Sequence, residues 1–431
     1  MNVAIIGSGI AGLGAARALV AANHAVTIFE AAARPGGHVY TVDHAGVSVD
    51  MGFIVCNRER YPLFFRLLAD LQIETRPTTM SFSVSLPHLD LEWGSESLSS
   101  LFADRATLTS SRHWRFLLAV VGFLRTARRD LDVGATAALS LDEYLAHRRL
   151  PAEIREQFVI PLAAALWSLA PDACGAFPAD TFLRFLDQHG MLRAVRPLAW
   201  RTIVGGSRCY ADALIAQLPS GTVRLSTPVT RIARDAHGVT IVTGGAGSSS
   251  AASSSAALSN AASSTVGRFD RVIIATHADT ALAMLEVPTP DESAALGAFR
   301  YSTNATVLHR DPAFLPRRRA AHASWNYVAD PDTAQVAVTY SMSRLQGLPA
   351  DPPYLVTLNP RSRPASVIHE VSFTHPQFDR AALLAQGNLA RLNGTNRTYF
   401  AGAHFGFGFH EDGLRAGLAA AARAIADEAG R

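Results

Sequence analysis

Three glycines near the start of the chain are spaced Gly7-x-Gly9-x-x-Gly12, and an acid, Glu30, follows 18 residues after the last of them. Glycines at that spacing let backbone N–H groups approach a pyrophosphate, and an acid about 20 residues on can accept hydrogen bonds from a ribose. A second constellation lies near the other end. The stretch "FAGAHFGFGFHEDGLRAG", residues 400–417, interleaves glycines and phenylalanines with His404, His410, Glu411 and Asp412. Glycines there leave the backbone bare of side chains just before the helix that follows. Acids at the mouth of a helix are also ordinary first-turn residues that offset the dipole, but the alternation of aromatic and glycine serves no capping purpose.

These groups need elements to hold them. "NVAIIGSGIAGLGAARALVAANHAVTIFE" predicts a β-branched strand, a turn, an alanine-rich helix and a second strand ending on Glu30. Gly7 makes the tight turn, Gly9 admits the pyrophosphate, and Gly12 lets helix and strand pack closely. Ile10 and Ala11 open the helix, whose free N–H groups and dipole favour the phosphates, and Ala31 follows the acid. A glycine turn that binds nothing is the bland alternative; strand, glycines, helix, strand and terminal acid in one unit favour a dinucleotide. At the other end, "LRAGLAAAARAIADEA" is a helix with the acidic turn at its mouth.

Composition narrows the classes. With 431 residues, 48% hydrophobic and 17% charged, the chain can bury a large core in two linked domains. A net charge of +3 and no basic run with interleaved aromatics argue against nucleic acid. The most apolar run, "FLLAVVGFL" (116–124), is about half the roughly 18 to 20 residues that span a bilayer. The N-terminus has no basic segment of the signal-peptide kind. Cys56, Cys174 and Cys209 offer neither a disulfide framework nor a metal quartet, so a reducing cytoplasm and no metal are expected. All 39 basic residues are arginine, so lysine chemistry is unavailable to this chain.

The residues after Glu30 extend the pattern. "AAARPGGHVYTV" supplies Arg34, Gly36, Gly37 and His38, and "VSVDMGFIV" supplies Asp50, Gly52, Phe53 and Ile54. Here the chain resembles the flavin amine oxidase and phytoene desaturase superfamily, whose second glycine motif has the form E-x(3)-R-x-GG-[RH] and precedes a D-x-G turn. That resemblance implies FAD. "STPVTRIARDAHGVTIVT" (226–243), with Val229, is similar to the family's adenine-flanking hairpin, and "FDRVIIATH" (269–277), with Ala275 and Thr276, to the strand that returns to the FAD domain. "DMGFIVCNRERYP", "MSFSVSL", "VGGSRCY", "ASWNYV" and "GFGFHEDGLRAG" look like a bacterial subgroup of predicted NAD/FAD-binding proteins, whose gene neighbours hint at lipid.

In that family the last helix points its N-terminus at the flavin pyrimidine. By resemblance Phe409 takes the place of a cage tyrosine and Glu411 that of a matching glutamate. Asp412, Gly413 and Leu414 stand where backbone N–H groups meet the flavin O2, with Gly402 and Ala403 beside the cofactor. Two departures are visible: Ala403 and His404 replace an acid that binds the ribityl chain, and no lysine can reach the flavin N5. An ordinary monoamine or polyamine oxidase is thereby disfavoured.

The expected fold is α/β, a Rossmann-type FAD-binding domain with an inserted α+β substrate domain. Residues 1–60, 200–285 and 390–431 form the first, with 244–265, rich in serine and alanine, as a flexible loop. Residues 61–199, of helical spacing, and 286–389, with the strand-like runs "NATVLH", "QVAVTYSM" and "PYLVTL", form the second. Trp325, Asn326, Tyr327, His309 and Tyr340 are candidates for its cavity wall; Phe409, His410, Trp325 and Tyr340 are those expected at the substrate. Met80, Phe82 and Trp167 suit the core, a pocket wall being the alternative. The expected activity is hydride transfer from a mainly apolar, lipid-like small molecule to flavin N5, with O2 or another acceptor taking the electrons. A desaturase or double-bond isomerase of fatty acyl or polyene chains is the second option, and a non-catalytic FAD-binding scaffold the third. The oligomeric state stays open, a dimer being one option.

Overall fold

A computed structural model describes residues 1–136, 139–167, 171–188, 190–192, 198–244, 264–329 and 337–430. Its first layer is a five-stranded parallel sheet. Strand β1 (Asn2–Ile6) pairs with β2 (Ala25–Phe29) on one side and Arg271–Ile274 on the other, with Ile5 opposite Ile28 and Ile273. Val223–Arg224 and Thr398–Phe400 complete the edges. Parallel strands covered on both faces read as continuous apolar runs, which is why "VAII" and "VII" carry no polar alternation.

Helix α1 (Ile10–Ala21) and the last helix, His410–Ala429, lie together on this sheet. Small residues permit the approach: a Cβ on Gly417 would sit 2.0 Å from the Ala11 carbonyl oxygen, and one on Gly14 2.6 Å from Leu414 Cδ1. The two sequence constellations, almost 400 residues apart, thus meet; a Cβ on Gly413 would lie 3.0 Å from Ile10 Cγ2.

A three-stranded antiparallel sheet joins Val229–Asp235, Gly238–Thr243 and Ser264–Phe269. Ser264 and Thr265, assigned above to the loop, already belong to its third strand; residues 245–263 of that segment lie outside the described residues. "FDRVIIATH" is likewise two pieces: Phe269 ends the third strand, and Arg271–Ile274 joins the parallel sheet.

The third layer is a seven-stranded mixed sheet in the order Val367–Gln377, Arg300–His309, Leu355–Leu358, Ala337–Ser341, Trp325–Val328, Phe82–Leu86, Leu91–Gly94. All neighbours are antiparallel except Trp325–Val328 with Phe82–Leu86. The last two strands correct the helical expectation for 61–199, because "MSFSVSL" alternates at period two and pairs across the sheet with residues 243 positions away. Helices Ser111–Asp132, Ile160–Trp167 and Ala179–Gln188 share one apolar core with this sheet through Phe116, Phe123, Phe182, Val84 and Trp93.

Candidate active site

One cavity of about 670 Å³ runs from the glycine turn to an aromatic chamber. At the turn, Gly7 has φ +98°, a conformation L side chains rarely adopt, and a Cβ on Gly12 would lie 2.0 Å from the Gly7 carbonyl oxygen. Gly9 differs: nothing lies within 4 Å of the Cβ it lacks, so its face is open to the cavity. It is also the N-cap of α1, with no side-chain cap and no acid in the first turn, which leaves the positive helix end for an anion.

Glu30 borders the same end. Its Oε2 accepts from Ser8 N (2.9 Å) and Ser8 Oγ (2.6 Å), and Oε1 from Ala32 N (2.9 Å). Among the described residues it is the one charged side chain on the cavity wall. Ile10, Ala11, Ala31, Gly36, Gly37, His38, Gly52, Phe53, Ile54, Ala275, Thr276, Gly402, Ala403 and Gly413 also line the cavity. Six other expected positions do not. Gly12 and Leu414 are helix-packing residues, and Val229 starts a strand of the three-stranded sheet. Arg34 is turned onto backbone, donating to Val39 O (2.8 Å) and Gly37 O (2.9 Å), with its guanidinium over the Tyr40 ring. Asp412 accepts from Phe407 N and Phe409 N at 2.9 and 3.2 Å, bracing the turn that carries Phe409. Glu411 accepts from Leu63 N and Phe64 N, both at 3.0 Å, and so caps helix Pro62–Asp70 instead of facing the cavity.

The far end is a chamber walled by Met80, Trp167, Phe185, Trp325, Tyr340 and Phe409. Phe409 stacks on Phe185 at 4.7 Å, and Trp325 meets Tyr340, its register partner, edge to face at 5.1 Å. Met80 and Trp167 are therefore wall, the alternative to the core assignment made above. Phe82 packs on Trp93, away from the cavity. Asn326, Tyr327 and His309 leave the wall as well: Asn326 spends its amide on Ser83, Ala323 and Thr339, Tyr327 is buried, and His309 bonds Thr357 Oγ1 at 2.7 Å. Period-two pleating points Asn326 to the face of the sheet opposite Trp325, whereas Tyr327, on the same face as Trp325, is packed into the core.

Five histidines sit between the two ends or beside them: His38, His277, His375, His404 and His410. Burial pulls His38 and His277 down to about 4, and His375, His404 and His410 to about 3, so all are neutral near pH 7. His410 is stacked on Phe53 at 3.8 Å and hydrogen-bonded to Tyr210, a packed ring at the helix mouth. His38 Nε2 donates to the Thr374 carbonyl (3.1 Å), leaving Nδ1 as an acceptor.

His375 has its proton fixed by a relay. Ala305 N–H donates to Asn359 Oδ1 (3.0 Å), so Asn359 Nδ2 donates to Asn304 Oδ1 (2.7 Å) and Asn304 Nδ2 to His375 Nδ1 (2.8 Å). The neutral ring then carries its proton on Nε2. His277 and His375 were missed in the sequence, although His277 directly follows Ala275 and Thr276; His375 is one of eleven residues in strand Val367–Gln377 and has no local motif.

Three buried polar atoms on the cavity wall have no protein partner among the described residues: Trp167 Nε1, Trp325 Nε1 and His404 Nε2. The open His404 Nε2, a bare helix N-terminus and a Cβ-free approach at Gly9 fit a long polar cofactor, and two open indole N–H groups in an otherwise apolar chamber fit a largely apolar ligand that carries a hydrogen-bond acceptor. No group of three or more metal-ligating side chains occurs among the described residues.

Fold and site define a class, a dinucleotide-binding α/β protein whose cofactor trough continues into an apolar chamber. Residues 10–312 match the flavin containing amine oxidoreductases, and the chain belongs to that family. Membership carries the flavin cofactor, FAD, and the class of FAD-dependent oxidoreductase. A Mycobacterium tuberculosis protein named as a flavin-containing monoamine oxidase, AofH, is 30% identical over 262 residues, 56% of this chain and 54% of that one. The match spans about half the length of that relative. Cyclohexylamine oxidase from Brevibacterium oxydans has the same fold (TM-score 0.70, 18% identity, 100% and 99% of the two chains). So does a fatty acid isomerase from P. acnes that produces CLA (TM-score 0.67, 16% identity, 97% of each chain).

Proposed function

We propose that this protein oxidises a mainly apolar, uncharged small molecule in the aromatic chamber. The supporting observation is a cavity continuous from Gly9 and Glu30 to Trp325, Tyr340 and Phe409 that has no charged side chain at its chamber end among the described residues. A charge brought there would lose hydration without a partner, so an amine would enter unprotonated, and a neutral hydrocarbon-rich molecule at no such cost.

FAD, when bound, supplies a two-electron acceptor. In our reading Gly9 and the first turn of α1 hold its pyrophosphate, Glu30 the adenosine ribose and His404 Nε2 a hydroxyl of the linking chain. The N-terminus of the last helix, at His410 and Gly413, would stabilise negative charge on the ring. The chamber excludes water, and Phe409 and Phe185 form its floor. The neutral His375 would present its Nε2 proton to an acceptor atom of the ligand. We also read 1–60, 200–285 and 390–431 as the cofactor lobe and the rest as the substrate lobe.

The same apolar wall favours, as second reading, a desaturation or double-bond shift in an unsaturated acyl chain. Anaerobic incubation of the yellow holoenzyme with separate panels of hydrophobic amines and unsaturated fatty acids distinguishes the two. Bleaching of the flavin by an amine with release of an imine or aldehyde supports oxidation. A rearranged fatty acid without net bleaching supports isomerisation. No response to any apolar compound, with bleaching by a charged polar one, overturns both.

A further inference from the structure

Helix Ser111–Asp132 has two apolar faces, and only one of them is used by the core. His113, Phe116, Phe123 and Ala127 are buried against the protein. On the opposite side Trp114 is 47% exposed, Leu118 69% and Val121 38%, at i, i+4 and i+7, and Leu108, bonded through its carbonyl to Trp114 Nε1, is 46% exposed. That line continues at the same helical spacing into Arg125, Arg128 and Arg129. One exposed stripe is therefore apolar in its first half and cationic in its second.

The cationic half is a recess. Arg125, Thr126, Arg129, Asp130, Val133 and Arg148 enclose about 420 Å³ at the surface. The one acid, Asp130, is buried and already neutralised by the Arg148 guanidinium, with a further bond from Tyr144 OH (2.8 Å). Arg128 keeps a loose pair with Asp187 at 3.9 Å, whereas Arg125 and Arg129 have no acidic partner among the described residues. The helix holds five arginines and two aspartates, and outside it 34 arginines face 34 acids. The whole excess positive charge of the chain is thus carried by this helix.

We propose that this face docks on an anionic phospholipid bilayer. Trp114, Leu118 and Val121 enter the boundary between headgroups and acyl chains, and Arg125 and Arg129 bind lipid phosphates. The Trp114 ring suits that depth, its one polar group already satisfied by the Leu108 carbonyl, and paired guanidinium groups suit phosphate oxygens. No helix among the described residues is long and apolar enough to cross a membrane, so the association is peripheral. It stands independently of the substrate reading above.

Flotation of the purified holoprotein with phosphatidylcholine vesicles, with and without phosphatidylglycerol, tests it. We expect co-flotation with the anionic vesicles alone, weakening as salt rises. Arg125→Gln with Arg129→Gln should lower the partition coefficient about thirtyfold, about fivefold for each charge removed near the surface. Leu118→Ser should lower it too, and both variants should keep the wild-type flavin content and melting temperature. Equal flotation with both vesicle types, or none with either, overturns the proposal. So does competition by inorganic phosphate without vesicle binding, which would mark an anion site only. Self-association abolished by Leu118→Ser, without flotation, would assign the face to a second copy.

Discussion

The two ends of the cavity are made from different materials. At the dinucleotide end the working groups are backbone N–H groups, a bare helix N-terminus and one acid, all supplied by residues 2–30. At the chamber end they are side chains, Met80, Trp167, Phe185, Trp325, Tyr340 and Phe409, from segments that share no local element except the register pair Trp325 and Tyr340. A backbone site tolerates no added volume where it turns, because main-chain atoms cannot step aside. A side-chain chamber can be reshaped one residue at a time. Under the proposed function, recognition of the cofactor and choice of substrate should therefore be separable in this molecule.

The most damaging test of that separation is Gly12→Ala. Its Cβ would fall 2.0 Å from the Gly7 carbonyl oxygen, so the strand–helix junction must open. We expect a loss above about 3 kcal/mol and poor recovery of folded protein by thermal melting. Gly9→Val sharpens the point, since its side chain projects into open space. That variant should melt like the wild-type apoprotein yet fail to retain FAD, and a yellow Gly9→Val protein would contradict the placing of the pyrophosphate.

Between the two ends the histidines make stability depend on acid. Their folded values, about 3 to 4, lie below the unfolded value near 6.5, so the native state binds fewer protons. Their contribution is complete above pH 6.5 and is lost as pH falls toward 4, by about 1.4 kcal/mol per pH unit for each neutral ring. Melting temperature measured from pH 7.5 to 4.5 should fall steeply below 6.5, and His375→Gln with His404→Gln should flatten the slope. A flat profile in the wild type would show that these rings are not held neutral.

At the chamber, Phe409→Ala removes the ring stacked on Phe185. Substrate-dependent flavin reduction should drop by about tenfold, the worth of one aromatic contact, while FAD content is unchanged. Loss of FAD together with activity would mean that the two ends are not separable. The smallest expected effect is that of Glu411→Gln. Because Glu411 caps helix Pro62–Asp70, the variant should lose about 1 kcal/mol of stability with an unaltered flavin spectrum. A shifted spectrum would return Glu411 to the cofactor.

Much of the dinucleotide end was legible in the sequence because its determinants are local. Turn geometry, helix polarity and an acid at a strand end are fixed by a few neighbouring residues, and Gly7, Gly9, Gly12 and Glu30 declare them. The resemblance of Arg34 to His38 and of 402–414 added the flavin. Glu411 shows where that reasoning stops: an acid in a helix's first turn has the same local signature whether it faces a cofactor or caps another helix. Only the arrival of Leu63 and Phe64, almost 350 residues away in sequence, gave it a partner.

The chain alone thus determined the strand–turn–helix unit, the acid at its end and the apolar aromatic turn before the last helix, since each depends on contacts within a few residues. Tertiary structure alone decided which aromatics became wall. Trp325 and Asn326 are neighbours, yet the pleat gives one to the cavity and the other to a buried amide network. It also placed His375 at the end of a relay through Asn304 and Asn359, and it left Trp114 and Leu118 outside on a helix whose other face fills the core. A side chain's surroundings come from segments distant in sequence, and no pattern within a single segment encodes them.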